Sequence, residues 1–88
     1  MQTYTIYIGC NNDTGKLELE KIEAIAGGRH DGFTLYTASG YWLGSKEPTA
    51  VLVIHDDPGK IIRTITDLKI ELDQDAIGYQ VAPTMNFA

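Results

Sequence analysis

Two histidines and three neighbouring carboxylates are the residues of this chain whose types could do chemistry. His30 and Asp31 precede one predicted strand, while His55, Asp56 and Asp57 stand at the end of another. Histidine exchanges protons near neutral pH, and with carboxylates it can form an acid–base pair or bind a divalent cation. The spacing matches no recognised metal motif, so we expect no metal ion and no other cofactor.

A simpler interpretation of the same residues involves no catalysis. Asp57 is suited to cap the helix that follows it, Asp56 is then solvated, His55 ends a strand, and His30 lies in a flexible glycine-rich loop. We favour this interpretation, and we expect that the protein is not an enzyme. His30, Asp31, His55 and Asp56 remain the candidates for an acid–base or metal-binding role, and no residue is assigned as catalytic.

The lone cysteine is a weaker candidate. Cys10 follows the first predicted strand, and the predicted topology places no histidine at that end of the sheet. A cysteine nucleophile needs a nearby base, whereas a single cysteine is most often a small buried apolar residue. We therefore expect Cys10 to be structural.

Length and charge narrow the function classes. The chain has 88 residues, which is one domain, and its formal net charge is −5. This charge argues against direct nucleic-acid binding, which depends on clustered lysine and arginine. No apolar run is long enough to span a membrane and no signal-like segment is found, so we expect a cytoplasmic protein without membrane contact. A domain this small is marginally stable alone, which favours a homo-oligomer such as a dimer.

The hydrophobic pattern predicts six elements. Alternating residues predict strands over 2–10 and 33–43, the second one kinked at Gly40, and an unbroken apolar run predicts a buried strand over 49–55. Residues 44–48 are expected to be a loop. Periodic apolar residues predict helices over 17–26 and from Pro58 to about Asp73. A last strand contains Ile77, Tyr79 and Val81 and ends at Pro83.

This order predicts an α+β, ferredoxin-like β-α-β-β-α-β domain spanning residues 1–88. It has a four-stranded antiparallel sheet with two helices on one face. The loop after the first helix and the loop after the third strand then lie at the same end of the sheet, so Arg29, His30 and Asp31 are expected to approach His55, Asp56 and Asp57.

The uncovered face of the sheet is the predicted binding surface. If Tyr4, Ile6 and Ile8 face the helices, Tyr7 faces away, and the same alternation turns Tyr36 outward. Large aromatic patches rarely stay bare. Ile70, opposite the apolar stripe of the second helix, and Trp42 complete the residues we assign to ligand or partner binding: Tyr7, Tyr36, Trp42 and Ile70.

Residues 3–44 carry a family resemblance. The opening TYTIYIGCNND and the later HDGFTLYTASGYWLG resemble small uncharacterised bacteriophage proteins that begin with a TYTIYIG-like strand. These motifs are structural, so the resemblance transfers no active site. It implies phage origin and a cytoplasmic location in the infected bacterium.

Three functions follow as expectations. The first is a non-enzymatic, phage-encoded accessory protein that binds and inhibits a host or defence-system protein, with an anti-CRISPR-like inhibitor as one version. The second is a binder that sequesters a small molecule between tyrosine rings, with Arg29 or Lys46 pairing an anion. The third is a small dimeric α+β barrel enzyme, which would need a histidine or tyrosine inside the barrel.

Overall fold

A computed structural model describes residues 1–82 and 85–88 and shows one antiparallel sheet with two helices. The strands lie in the order β2-β3-β1-β4, and the fold is the expected ferredoxin-like α+β arrangement. The elements in chain order are β1 (Gln2–Ile8), α1 (Leu19–Gly27), β2 (Thr34–Trp42), β3 (Ser45–Asp56), α2 (Pro58–Glu71) and β4 (Gly78–Ala82).

The two central strands have the most apolar sequences. β1 pairs with β3 from Gln2 opposite Asp56 to Ile8 opposite Ala50, and β4 flanks β1 on its other side. Alternate residues of both strands point to the helices and are buried there, because a strand presents successive side chains to opposite faces. The core contains Tyr4, Ile6, Ile8, Ala50, Leu52 and Ile54 from these strands.

Both helices cover the same face of the sheet. The buried side of α1 contributes Ile22 and Ala26 to the single core cluster, and α2 contributes Ile61, Ile65 and Leu68. The start of α2 is as expected: Pro58 is its first residue, and Asp57 caps it by accepting a hydrogen bond from the Lys60 backbone N–H at 3.2 Å.

The hairpin between β2 and β3 differs from the prediction. The expected loop over residues 44–48 is wrong, because Ser45 already pairs with Trp42 and β3 begins there. The turn consists of Leu43 and Gly44, both with positive φ. A two-residue turn with two positive φ angles matches the twist of a hairpin, so the strands pair up to the turn itself.

The expected kink in β2 is also absent. The register between β2 and β3 continues without a bulge through Ala38, Ser39 and Gly40. Gly40 lies where an added Cβ would come too close to Oγ1 of Thr49, so the glycine leaves room for the Thr49 side chain.

The other boundaries shift by one or two residues. β1 ends at Ile8 rather than at Cys10, α1 begins at Leu19 rather than at residue 17, and α2 ends at Glu71. β4 begins at Gly78, while Ile77 is buried just before it. The proposed strand end at Pro83 lies outside the described residues. Neither helix of the described chain has the length and apolar character needed to cross a membrane.

Candidate functional site

The face of the sheet opposite the helices, here called the open face, is almost uncharged. By alternation it carries the odd-numbered residues of β1 and β3 and the even-numbered residues of β2 and β4. Among the open-face residues from Thr34 to Trp42 on β2 and from Glu47 to His55 on β3, Glu47 alone carries a formal charge at neutral pH. The protein as a whole has a net charge of −5, so its charge lies elsewhere.

A row of apolar and aromatic residues crosses the centre of the open face. Val51 on β3 pairs with Tyr7 on β1 and with Tyr36 on β2. The two tyrosines cover Val51, which is only 2% exposed, and remain 41% and 49% exposed themselves. The Tyr7 hydroxyl donates to Oε1 of Gln80 at 3.0 Å, which fixes that ring over the sheet. The predicted outward placement of Tyr7 and Tyr36 is confirmed.

The other two residues assigned to binding do not join this row. Trp42 shares the open face but lies three alternate positions beyond Tyr36, about 20 Å along the strand. It is 72% exposed near the hairpin tip. Ile70 is 69% exposed as expected, but it belongs to α2 in the helical layer. The four residues therefore occupy three separate places on the molecule.

A small recess opens at the His55 end of the open face. His55 Nδ1 lies 3.0 Å from Oγ1 of Thr3, and its ring meets that of Phe87 edge-on with centroids 6.0 Å apart. The recess has a volume of about 240 Å³ and is lined by Gly32, Phe33, Thr34, Val53, His55, Met85 and Phe87. His55 is thus on the open face, packed under the C-terminal segment.

His30 is buried, which corrects the expectation of a flexible loop position. The residue is 4% exposed, and both ring nitrogens are engaged. Nδ1 lies 2.8 Å from Oδ2 of Asp56, and Nε2 lies 2.7 Å from Oγ1 of Thr64 on α2. The predicted meeting of the loop after α1 with the end of β3 is therefore real for His30 and Asp56.

The protons of this network are limited in number. The Thr64 hydroxyl also lies 3.1 Å from the carbonyl of Lys60, and its single proton cannot serve both neighbours. A ring protonated at both nitrogens donates to Asp56 and to Thr64, and Thr64 then donates to Lys60. In the neutral ring with a proton on Nδ1, Thr64 donates to Nε2 and the bond to the carbonyl is lost.

The order carboxylate, imidazole, hydroxyl is also that of a hydrolytic triad. Catalysis would require the hydroxyl to reach a substrate, whereas Thr64 is fully buried on α2. The network therefore acts as a structural link between the loop after α1, the end of β3 and α2. Thr64 was not identified from the sequence as part of this network. Thr64 lies about one helical turn after Lys60, so both residues stand near the start of α2.

Asp56 is not a freely solvated carboxylate. The hydrogen bond from His30, and after it the bond from the Asp57 backbone N–H, lowers the pKa of Asp56 from its ordinary value. Burial opposes them, and the charge of Lys60 adds a smaller lowering effect. The remaining candidate, Asp31, is exposed next to this network.

The two histidines do not share a site. His30 lies on the helix side with Asp56, and His55 lies on the open face, because adjacent residues of β3 point to opposite faces. Across residues 1–82 and 85–88, no three histidine, cysteine or acidic side chains are placed to hold a metal ion. Cys10 is partly exposed, and its thiol donates to the Pro48 carbonyl at 3.2 Å. Burial, with a further contribution from Glu47, raises the pKa of that thiol.

A shallow cationic cavity lies on the helical side. It has a volume of about 480 Å³ and is lined by Gly28, Arg29, Lys60 and Arg63. Arg29 pairs with Asp67 on α2, and Lys60 Nζ lies 3.6 Å from Oδ2 of Asp56. Two of the three cations are thus engaged within the chain. Arg29 does not reach the open face, where the small-molecule hypothesis needed it.

Comparisons with known proteins show the fold of the chain and no more. No family model matches the chain, and no curated protein matches it. Among solved structures, a DUF3240 family protein from Shewanella baltica is similar at 13% identity and a TM-score of 0.71, over 99% of this chain and 93% of that one.

Two further structures show the same architecture. The de novo designed protein Foldit4 has 15% identity and a TM-score of 0.57, and the alignment covers 96% of each chain. The C-terminal domain of the MgtC protein from Mycobacterium tuberculosis has 19% identity and a TM-score of 0.51, with coverage of 94% of this chain and 89% of that one. At such identities the likeness shows a small α+β fold and no function.

Proposed function

We propose that the chain is a non-enzymatic binding protein that engages a protein partner through the centre of its open face. The observation that carries this proposal is the row of Tyr7, Val51 and Tyr36 on a sheet face with almost no charge. Interface centres are depleted in charged residues and enriched in tyrosine and tryptophan, which contribute large contact area at low entropic cost.

The chemistry of the described residues supports binding rather than catalysis. The buried Thr64 removes the one triad-like arrangement from any substrate, and the two histidines lie on opposite faces. The proposed partner is a host or defence-system protein in the cytoplasm of an infected bacterium, which the chain inhibits. An effector of a CRISPR system is one such partner. Support for this origin comes from the resemblance of residues 3–44 to bacteriophage proteins.

The test compares two tyrosines on opposite faces of one strand. Tyr36→Ala removes a ring from the open face, whereas Tyr41→Ala removes an exposed ring from the other face of β2. We expect wild type and Tyr41→Ala to capture the same host protein, identified by mass spectrometry, and to inhibit its activity after purification. Tyr36→Ala is expected to bind at least about 30-fold more weakly, as for a hot-spot residue.

Equal binding by the two tyrosine variants would contradict the assignment of the open face. Circular dichroism and thermal unfolding of each variant establish that a loss of binding is not a loss of fold. If the partner is captured but its activity is unchanged, the proposed binding stands and the proposed inhibition is wrong.

A second candidate function is supported by the recess at His55. Its volume of about 240 Å³ and its lining of Phe33, Val53, His55 and Phe87 suit a small ring-bearing molecule rather than a protein. The ring edge of Phe87 against His55 closes one side of it. Native mass spectrometry of protein purified from its host would show such a molecule as an added mass absent from the denatured sample.

A further inference from the structure

The outer edge of β2 has no partner strand in the described part of the chain. β2 is the first strand in the sheet order, so β3 pairs with one of its edges, and no strand of the described chain pairs with the other. With nine residues it is longer than β4, the strand at the opposite edge, which has five. Such an edge presents backbone N–H and C=O groups that another strand can pair with.

The usual protections of an edge strand are missing from β2. Proteins block free edges with charged side chains, proline, bulges or short strands. The sequence of β2, TLYTASGYW, contains neither a charged residue nor a proline. Its register with β3 runs without a bulge from Thr34 opposite Val53 to Trp42 opposite Ser45. A free edge of this kind is expected to be covered in solution.

We propose that β2 pairs antiparallel with β2 of a second copy of this chain, so that two four-stranded sheets join into one. Charge restricts the place where a second copy can dock. Two chains that each carry a net charge of −5 repel one another over most of their surface, whereas β2 brings no charged side chain to the contact. Identical antiparallel strands also form a closed, two-fold symmetric interface, which limits assembly to a dimer.

The residue pattern selects one register. A two-fold axis at Ala38 pairs all nine residues of β2 and places Thr34 opposite Trp42 of the partner subunit. Tyr36 then lies opposite Gly40 of the partner subunit. An aromatic ring opposite an edge glycine is a favourable cross-strand pair in sheets. Ala38 faces the partner's Ala38, where the small side chains allow close approach.

This pairing stands independently of the partner protein proposed above. It places the two open faces side by side on one continuous sheet, with both tyrosine rows left available. A dimer formed by stacking the open faces would instead bury those rows. The two arrangements differ in the distance between the two copies of residue 38.

A disulfide at residue 38 distinguishes them. Directly opposite residues of antiparallel strands have Cα atoms about 4.5–5.5 Å apart, within the range of a disulfide. Stacked sheets lie about 10 Å apart, which is beyond it. The variant is Ala38→Cys in a Cys10→Ser background, and the matched control is Ala24→Cys in the same background, because Ala24 is exposed on α1.

We expect sedimentation equilibrium to show a dimer for wild type, and mild oxidation to convert most of the Ala38→Cys protein to a covalent dimer. The Ala24→Cys protein should remain mostly monomeric on a non-reducing gel. Ala38→Lys, which sets two like charges opposite one another, should weaken the dimer at least ten-fold, while Ala24→Lys leaves it unchanged.

Two outcomes overturn the proposal. The first is a wild-type protein that is monomeric at about 100 µM. A specific dimer of micromolar affinity is populated at that concentration, so this result would show that no such dimer forms. A dimer in which Ala38→Cys crosslinks no better than Ala24→Cys places the contact elsewhere. Tyr36 belongs to both contacts, so the capture experiment is repeated with Tyr7→Ala, whose ring lies on β1 outside the β2–β2 contact, and the two proposals then fail separately.

Discussion

At the scale of single residues, His30 is the most constrained side chain described. Its ring is buried, and each nitrogen has a partner from a different element. A buried polar group without a partner is costly, so both partners matter to the free energy of folding. Asp56 is also held by Asp57 and Lys60, whereas Nε2 of His30 depends on Thr64 alone.

The dependence on Thr64 gives a prediction. Thr64→Val keeps the shape of the side chain and removes the hydroxyl, which leaves Nε2 of His30 buried without a partner. We expect the free energy of unfolding to fall by about 1–3 kcal/mol. Urea unfolding monitored by circular dichroism measures the change.

Thr66→Val is the matched control on the same helix. Thr66 makes the equivalent bond to a carbonyl four residues earlier, at 3.0 Å to Ile62, but its hydroxyl is exposed. Its replacement should change stability by less than about 0.5 kcal/mol. Equal losses from the two variants would show that His30 does not depend on the Thr64 hydroxyl.

At the scale of elements, the β2–β3 hairpin is the feature most at odds with the sequence pattern. Leu43 has a φ of 49° and is 90% exposed, although a left-handed conformation is unfavourable for leucine. Asparagine tolerates that conformation, and Asn-Gly is a preferred pair in such turns. The sequence pattern did not predict this two-residue turn, because leucine is not a residue that usually marks such turns.

The strain at Leu43 predicts a stabilising substitution. Leu43→Asn should raise the free energy of unfolding by about 0.5–1 kcal/mol, since part of the cost of about 1–2 kcal/mol for a left-handed residue is removed. Leu43→Ala removes the same exposed side chain without tolerating positive φ, so it should give no such gain. Thermal unfolding of the three proteins at equal concentration compares them.

The rest of the fold was predictable for identifiable reasons. The apolar run of β3 and the Asp57–Pro58 start of α2 are strong local signals, and they fix the centre of the domain. The alternation in β1 also predicts which side of the sheet Tyr7 occupies. The contact of His30 with Thr64 could not be read from spacing, because 34 residues separate them and three elements must pack before they meet.

At the scale of the whole molecule, charge and apolar surface are separated. The open face and β2 carry almost no charge, while the helical side carries the Arg29–Asp67 pair and the cations near Lys60. The His30 network joins the loop after α1 to β3 and α2, so it stabilises the helical layer against the sheet. Loss of this network is expected to affect global unfolding rather than one loop.

The lowered pKa of Asp56 makes that contribution depend on pH. The unfolded chain binds a proton at Asp56 near pH 3.8, at a higher pH than the folded protein does. The stabilisation is therefore fully present above about pH 5, and it is lost as pH falls through the ordinary value and then through the lowered pKa of the folded protein. Asp56→Asn replaces a charge-assisted hydrogen bond by a neutral one and should cost about 1–2 kcal/mol at pH 7.

The difference between wild type and Asp56→Asn should shrink as pH falls below about 5, because protonation removes the same charge from the wild-type side chain. Urea unfolding from pH 7 down to pH 3 at constant protein concentration measures it. Asp31→Asn makes the same change in net charge at an exposed neighbour and should stay within about 0.5 kcal/mol of wild type at pH 7. A difference for Asp56→Asn that is constant over this range would mean that the Asp56 charge does not stabilise the fold.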